Sequence, residues 1–357
     1  MPNTKKRKIL YSQAINEALF QSMQNDKNVI IMGLGVDDPK RIFGTTNNLI
    51  EKFGNDRVFD MPTSENGMTG FAIGAALTKL RPVLCHQRVE FALLSMDQII
   101  NQAAKWYYMN AGQMSVPIVI RLIIGRGWGQ GPQHSQSLEN IFASIPGLKV
   151  VCPSNPKDAK GMLVSSIKDN NPVMFFEHRW LHNTHGYVDK NYYSTNINKC
   201  KVLKKGTDIT IVSSSYMVLE SIKAAEILSE INIKAEVIDL RTLRPLDIKS
   251  ISKSVHKTKN LLVVDSGWMT YGISSEIITS IAEQNKFYDK KIKFKRVGLA
   301  NTPIPSTRSL AKYIYPHSLT IVKSVSKILK KNVNGLLKKY KKYEPIDVPN
   351  ENFKGPF

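Results

Sequence analysis

The sequence predicts an α/β protein built from two parallel-sheet domains, on three observations. Short apolar runs rich in Val, Ile and Leu alternate with amphipathic stretches of helical period along most of the 357 residues. That is the pattern of parallel strands covered on both faces by helices. The length suits two domains. A polar stretch with few apolar runs, 186–205, divides the alternation in two.

In the first half, 12–25 carries Ile15, Ala18, Leu19, Ser22 and Met23 at helical spacing. The apolar run 28–32 reads as a buried strand ending at Gly33. Gly33-Leu34-Gly35 resembles half of a dinucleotide fingerprint, but the third glycine is missing and Pro39 follows, which argues against a nucleotide loop. Partial helix is expected over 43–53, strands at 57–60 and 82–85, and a helix from about 95 to 109. The face of that helix is Ile99, Ile100, Ala103, Ala104 and Tyr107. Strands follow at 116–124 and 149–153, then a helix over 156–168 and a strand at 173–177 that closes this sheet. After the linker come strands at 208–213, 235–240 and 261–265, and helices at 217–228, 274–283 and 318–331. The domains are thus 1–185 and 206–335. Residues 336–357 form a basic tail, extended from 344 onward, with three prolines there.

Three stretches carry candidate chemistry. Glu65 opens a segment with Gly67, Gly70 and Gly74 at spacings of three and four, near one helical face. Glycine in a helix costs about 1 kcal/mol against alanine, so this face expects a close neighbour or a ligand. The glycine-rich loop 125–136 directly follows a strand, and open α/β sheets bind ligands at such ends. His178, His182 and His185 lie four and three residues apart; a metal cluster on a helix is one reading, and a polar strip lining the active site the preferred one.

The formal net charge is +21, without a helix-turn-helix, zinc-finger or RNA-binding signature. It reads as lysines on solvated faces, with no nucleic-acid partner. No apolar run reaches membrane-span length. Cys85, Cys152 and Cys200 are widely spaced and read as reduced thiols, and the basic start lacks a signal-peptide pattern, so a cytoplasmic protein is expected.

From about residue 9 to 330 the chain resembles the β subunit of the first, thiamine-dependent component of 2-oxo acid dehydrogenase complexes, the pyruvate dehydrogenase type. This family is related to the C-terminal half of transketolase. The resemblance is carried by Glu65 with Gly70-Phe71-Ala72-Ile73-Gly74, by Asp97-Gln98-Ile99-Ile100-Asn101-Gln102-Ala103-Ala104-Lys105, and by Gln133-His134-Ser135-Gln136. Pro146-Gly147-Leu148-Lys149-Val150-Val151, Asp158-Ala159-Lys160-Gly161, Asp169-Asn170-Asn171-Pro172 and Arg241-Thr242-Leu243-Arg244-Pro245-Leu246-Asp247 complete it.

The resemblance implies a thiamine pyrimidine-binding domain followed by a transketolase C-terminal-like domain. It implies thiamine diphosphate as cofactor, decarboxylation of a 2-oxo acid and acyl transfer to a lipoyl carrier. Glu65 falls at the position of the carboxyl group that hydrogen-bonds the pyrimidine ring nitrogen and promotes its reactive tautomer. Phe91 falls where an aromatic ring stacks on the aminopyrimidine, and His134 where an imidazole faces the substrate. The family's structural potassium site would map to Ile118, Ser166, Ile167, Asp169 and Asn171. The family's Gly-Asp-Gly segment, which holds the diphosphate through Mg²⁺, is missing. An α subunit is therefore expected to supply that half, in an α2β2 heterotetramer, with a lipoyl acyltransferase as further partner.

The stretch His86-Gln87-Arg88-Val89-Glu90, the 178–185 strip and the basic tail depart from the family's usual sequence, which leaves the oxo acid open. A carboligase half like that of transketolase or deoxyxylulose-phosphate synthase is the alternative function. A non-catalytic scaffold is a third, against which the retained Glu65 argues.

Overall fold

The computed structural model describes residues 7–126, 129–284 and 292–341. The chain forms two compact units. The first runs up to Gly125 and resumes over Ile141–Ile197; the second takes Arg126–Asn140 and the chain from Asn198 on.

The first unit opens with strand β1, Arg7–Leu10, and the helix Tyr11–Asn25. Strands β2 (Val29–Gly33), β3 (Val58–Asp60), β4 (Arg81–His86), β5 (Val119–Ile124), β6 (Lys149–Val151) and β7 (Val173–His178) lie in the order β6-β7-β5-β4-β2-β3. All neighbouring pairs among them are parallel. β2, β5 and β7 are buried along their whole length, which is why they read as mainly apolar runs. β7 lies inside this sheet, between β6 and β5, rather than at its edge. The helix Pro156–Lys168 begins with proline in its first turn and with Asn155 accepting the Asp158 amide at 3.0 Å, a cap that stabilises the helix start. It packs against Tyr11–Asn25. The buried Lys160 there bonds Glu17 at 3.1 Å and the carbonyls of Asp189 and Asn191 at 2.8 and 2.7 Å.

Two expectations change in this unit. The helix expected over 95–109 is composite: Val89–Ala92, a 3-10 turn at Leu93–Ser95, a π-helical turn at Gln98–Ala103, and Ala104–Met109. The extra residue in the π turn rotates the following turn. Tyr107, placed by period on the buried face, is therefore 51% exposed. The stretch read as a linker also holds two strands, β8 (His185–Val188) and β9 (Lys201–Lys204). β8 pairs antiparallel with β1. Both are edge or ribbon strands with polar side chains, which hides them from a search for apolar runs.

In the second unit β9 is followed by β10 (Ile209–Ser213), β11 (Ala235–Asp239), β12 (Thr242–Arg244), β13 (Asn260–Trp268) and β14 (Lys293–Leu299). One sheet has the order β14-β13-β10-β11-β9, parallel except for β9. Helices Met217–Ser229, Ile248–Thr258, Ile273–Gln284 and Ser318–Leu329 cover it. The first amide of Ser318–Leu329 donates to Glu220 at 2.7 Å. A further helix, Asn334–Tyr340, crosses the expected start of the tail. The segment from 344 on lies outside the described residues.

Candidate active site

In the first sheet the strand order reverses at β2: β3 lies on one side, β4 and β5 on the other. The crevice at the carboxyl ends of such strands is where open α/β sheets bind ligands. Here it is edged by Gly33–Gly35, His86–Arg88, Gly125 and His178–Arg179. Two glycines make it narrow. A Cβ on Gly33, at φ +146°, would stand 2.2 Å from Cys85 O; one on Gly125, at φ +90°, would stand 2.2 Å from His178 Nε2. The Gly35 and Val36 amides donate to the Asp60 carboxylate at 3.0 and 2.6 Å. The loop resembling half a nucleotide fingerprint thus commits its donors to a carboxylate of its own chain. His86 is buried, and neither ring nitrogen has a partner among the described residues. Burial pushes its pKa down to about 4, so the ring is neutral at physiological pH.

A buried ion pair lies behind this edge. Arg121 Nε donates to Glu177 Oε1 at 2.6 Å and Nη2 to Oε2 at 3.0 Å, with both side chains almost fully buried. Nη2 also bonds Thr45 Oγ1 at 3.0 Å, and His182 Nε2 lies 3.1 Å from Glu177 Oε2. Burial alone would raise the Glu177 carboxyl, but Arg121 and His182 outweigh it and hold the group at about 2. Burial lowers the His182 pKa, and Glu177 opposes this only in part. His178 and His182 are therefore built into the fold, whereas His185 is exposed on β8. No group of three or more His, Cys, Asp or Glu is placed to hold a metal ion among the described residues.

Glu65, half-buried, is the first residue of the helix Glu65–Leu77. Phe91 is in the short helix Val89–Ala92, which packs against it. Thr69 Oγ1 ties the two segments, 2.8 Å from Glu65 O and 3.0 Å from Ser95 Oγ. The predicted close neighbour of the glycine face is only partly present within the chain. Gly70 faces the Gln98 side chain, Gly67 meets only Ser64, and nothing described lies within 4 Å of a Cβ on Gly74. Phe71, on the same helix, is 57% exposed.

His134 follows a 3-10 turn, Gly131–Gln133, in the segment that belongs to the second unit. Side chains of that unit anchor this segment. The Arg126 guanidinium lies 4.1 Å from the Tyr315 ring centroid, Ser266 Oγ donates to Glu139 at 3.3 Å, and Asn140 donates to Tyr271 O at 2.9 Å. Beside it opens a groove of about 590 Å³ lined in part by Pro132, Gln136, Trp268 and Tyr271.

The residues mapped to potassium gather around one turn. Val173 N donates to Ile118 O at 2.9 Å and Asp169 N to Ser166 O at 3.2 Å. Arg81 Nη1 donates to Ile167 O and Asp169 O at 2.9 and 3.1 Å, and the Asp169 carboxylate takes the Asn171 amide at 2.9 Å and pairs with Lys149. Each carbonyl has a second lone pair, so this hard-oxygen set fits an alkali cation in chemistry.

Sequence reading missed Arg121 and Glu177. The signal was present as an arginine inside the apolar run of β5 and a glutamate ending that of β7.

Comparison with known proteins agrees with this architecture. Residues 7–184 match the family model described as transketolase, pyrimidine binding domain, and 198–321 the transketolase C-terminal domain. The pyruvate dehydrogenase E1 component subunit beta of Pisum sativum mitochondria is 39% identical over 325 residues, 90% of each chain. The beta subunit of an acetoin:2,6-dichlorophenolindophenol oxidoreductase from Cupriavidus necator is 38% identical over 91% of this chain and 98% of its own. A solved split-gene transketolase, an inactive beta4 tetramer, shares the fold at TM-score 0.74 and 19% identity, over 90% of this chain and 98% of that one. No helix among the described residues is long and apolar enough to cross a membrane. With both transketolase-type domains in sequence and relatives of this identity over nearly its whole length, the chain belongs to the family of β subunits of thiamine-dependent 2-oxo acid dehydrogenases.

Proposed function

We propose that this chain is the pyrimidine-side half of a two-chain enzyme that decarboxylates a 2-oxo acid and passes the acyl group to a lipoyl carrier. The observation that carries the reading is Glu65 at the head of a helix packed against the helix of Phe91. These residues fit the pyrimidine of thiamine diphosphate: a carboxyl for a ring nitrogen and an aromatic face for stacking. When bound, that cofactor supplies the electron sink for loss of carbon dioxide. Glu65 would hold and return a proton at the ring nitrogen, Phe91 would orient the ring, and His134 would face the substrate carboxylate. Mg²⁺ and the diphosphate would sit with the α subunit, because no Gly-Asp-Gly segment occurs in this chain. The partner reading is supported by Gly74, beside which no described atom lies within 4 Å of an added Cβ, and by the exposed Phe71, Leu94, Tyr108 and Met109. Apolar surface of this kind marks an interaction site.

The test is exchange of the thiazolium carbon proton in the assembled two-chain enzyme, with and without a lipoyl acceptor in parallel turnover assays. Glu65→Gln should slow exchange at least tenfold, inside the ~10²–10⁴-fold range of acid–base help, with little change in melting temperature. Exchange at the wild-type rate, or full activity of this chain alone, would refute the reading. Carbonyls of Ile118, Ser166, Ile167, Asp169 and Asn171 would hold a potassium ion that braces the turn before β7. The melting temperature should then be higher in potassium than in sodium chloride at equal ionic strength; equal values would remove the ion.

A further inference from the structure

We propose that the groove beside the His134 segment binds a sugar ring, with Trp268 and Tyr271 as its aromatic platform. This goes beyond the function proposed above and holds whether or not an oxo acid is the substrate.

The groove lies wholly within the second unit. Two of its walls are the loops that leave β13 and β14, adjacent parallel strands in which Trp268 pairs with Leu299. It therefore opens at the carboxyl edge of that sheet, where open α/β sheets bind ligands. Its third wall is formed by Pro132 and Gln136, two residues to either side of His134. A volume of about 590 Å³ suits a small molecule.

The chain's own bonds fix these walls. Trp268 Nε1 donates to Thr302 O at 2.9 Å and ties the two loops together. Arg296 Nη1 donates to Met269 O at 2.8 Å. A Cβ on Gly272 would stand 2.2 Å from Trp268 O, so the turn closes only with glycine there. Tyr271 holds a left-handed backbone, at φ +57°, and is 90% exposed. That conformation costs a residue with a side chain about 1–2 kcal/mol. Here it sets a large aromatic ring in solvent on the same groove as Trp268.

The lining selects the class of ligand. None of the described residues lining the groove is charged, in a chain whose residues are 22% charged. That argues against a carboxylate, phosphate or ammonium group as the part recognised. The polar groups are the Gln136 and Asn301 amides and the Thr270 hydroxyl, and each can both donate and accept. Thr270 and Asn301 are exposed, and their side chains bond no described residue. Sugar hydroxyls likewise donate and accept, while the C–H face of the ring packs on an aromatic face. A proline-rich peptide also stacks in aromatic grooves. Its carbonyls need donors, however, and the Trp268 N–H is spent on Thr302 O. The indole offers its face instead.

The experiment is saturation-transfer NMR on the purified full-length chain. D-glucose, N-acetyl-D-glucosamine and maltose serve as sugar probes, and poly-L-proline as the peptide probe. We expect transfer to the ring C–H protons of at least one sugar, with a Kd on the order of 1 mM, and none to poly-L-proline at equal concentration. Tyr271→Ala should raise that Kd about fivefold or more, the scale of a lost aromatic stack. Tyr271→Phe should hold it within about twofold, because the ring does the stacking. Trp268→Phe should weaken binding less than Trp268→Ala. The exposed Tyr271 keeps the test open if the Trp268 variants fail to fold. No transfer to any sugar at about tenfold above the expected Kd, binding unmoved by Tyr271→Ala, or a preference for poly-L-proline overturns the proposal. The assay involves no turnover, so the proposed function stands or falls separately.

Discussion

At the carboxyl edge of the first sheet stand Arg88, Glu177, Arg179 and His182; at that of the second stand Ser213, Asp239, Asp265 and Ser266. The carboxylates do different work in the two places. Asp239 accepts the Arg241 amide at 2.9 Å and Asp265 the Gly267 amide at 3.0 Å, each two residues on. Such bonds shape a local turn. Glu177 instead reaches across to Arg121 on the adjacent β5 and onward to His182. Two parallel sheets thus carry two kinds of edge, one closing its own loops and one holding charge across strands. The second kind suits a site that must manage anions and protons, and it lies in the unit that bears Glu65.

The largest effect that sharpens this contrast is expected from Arg121→Leu. Removing the guanidinium leaves the Glu177 carboxylate buried with His182 as its one side-chain hydrogen-bond partner among the described residues. Breaking a buried pair costs about 3–5 kcal/mol, measured as a lower denaturant midpoint. Replacing both partners with leucine should recover part of the loss, since no unpaired charge remains. A loss of equal size in Asp265→Asn would break the contrast, because there the carboxyl takes backbone amides of its own loop and of the first residues of the next helix, Ile273 and Ser274, and pairs with no buried cation across strands among the described residues.

What the sequence made legible follows the same division. Elements whose side chains declare one environment were readable: β2 and β5 as apolar runs, and Pro156–Lys168 as a helix between two strands. Elements defined by a neighbour were not. β8 is polar and exists by pairing with β1, and the π turn that exposes Tyr107 leaves no mark in composition. Within the site, Glu65 stood out because three glycines follow it at helical spacing. The pairing of Arg121 with Glu177 stayed hidden because 56 residues separate them and only the register of β5 on β7 joins them.

The smaller effect concerns the anchored histidine segment of the second unit. Glu139 is buried, and burial first, with the Asp265 charge second, pushes its pKa up to about 8. Its one described side-chain partner is Ser266 Oγ, at 3.3 Å. A carboxyl raised in this way binds its proton more tightly folded than unfolded. Its contribution to stability is therefore complete below the unfolded value, about 4.3, and is lost as pH rises through about 8. Asp265 is also raised, chiefly by burial, so it acts in the same direction and the two titrate together. Wild-type protein should melt at progressively lower temperature across this window. Glu139→Gln mimics the protonated form, so its melting curve should flatten, keeping only the slope due to Asp265, and the variant should gain most over wild type at the alkaline end. Melting temperatures across the window, for both proteins in one buffer series, decide the matter. Parallel curves would mean that Glu139 is ionised throughout and that the segment bearing His134 is held without this carboxyl.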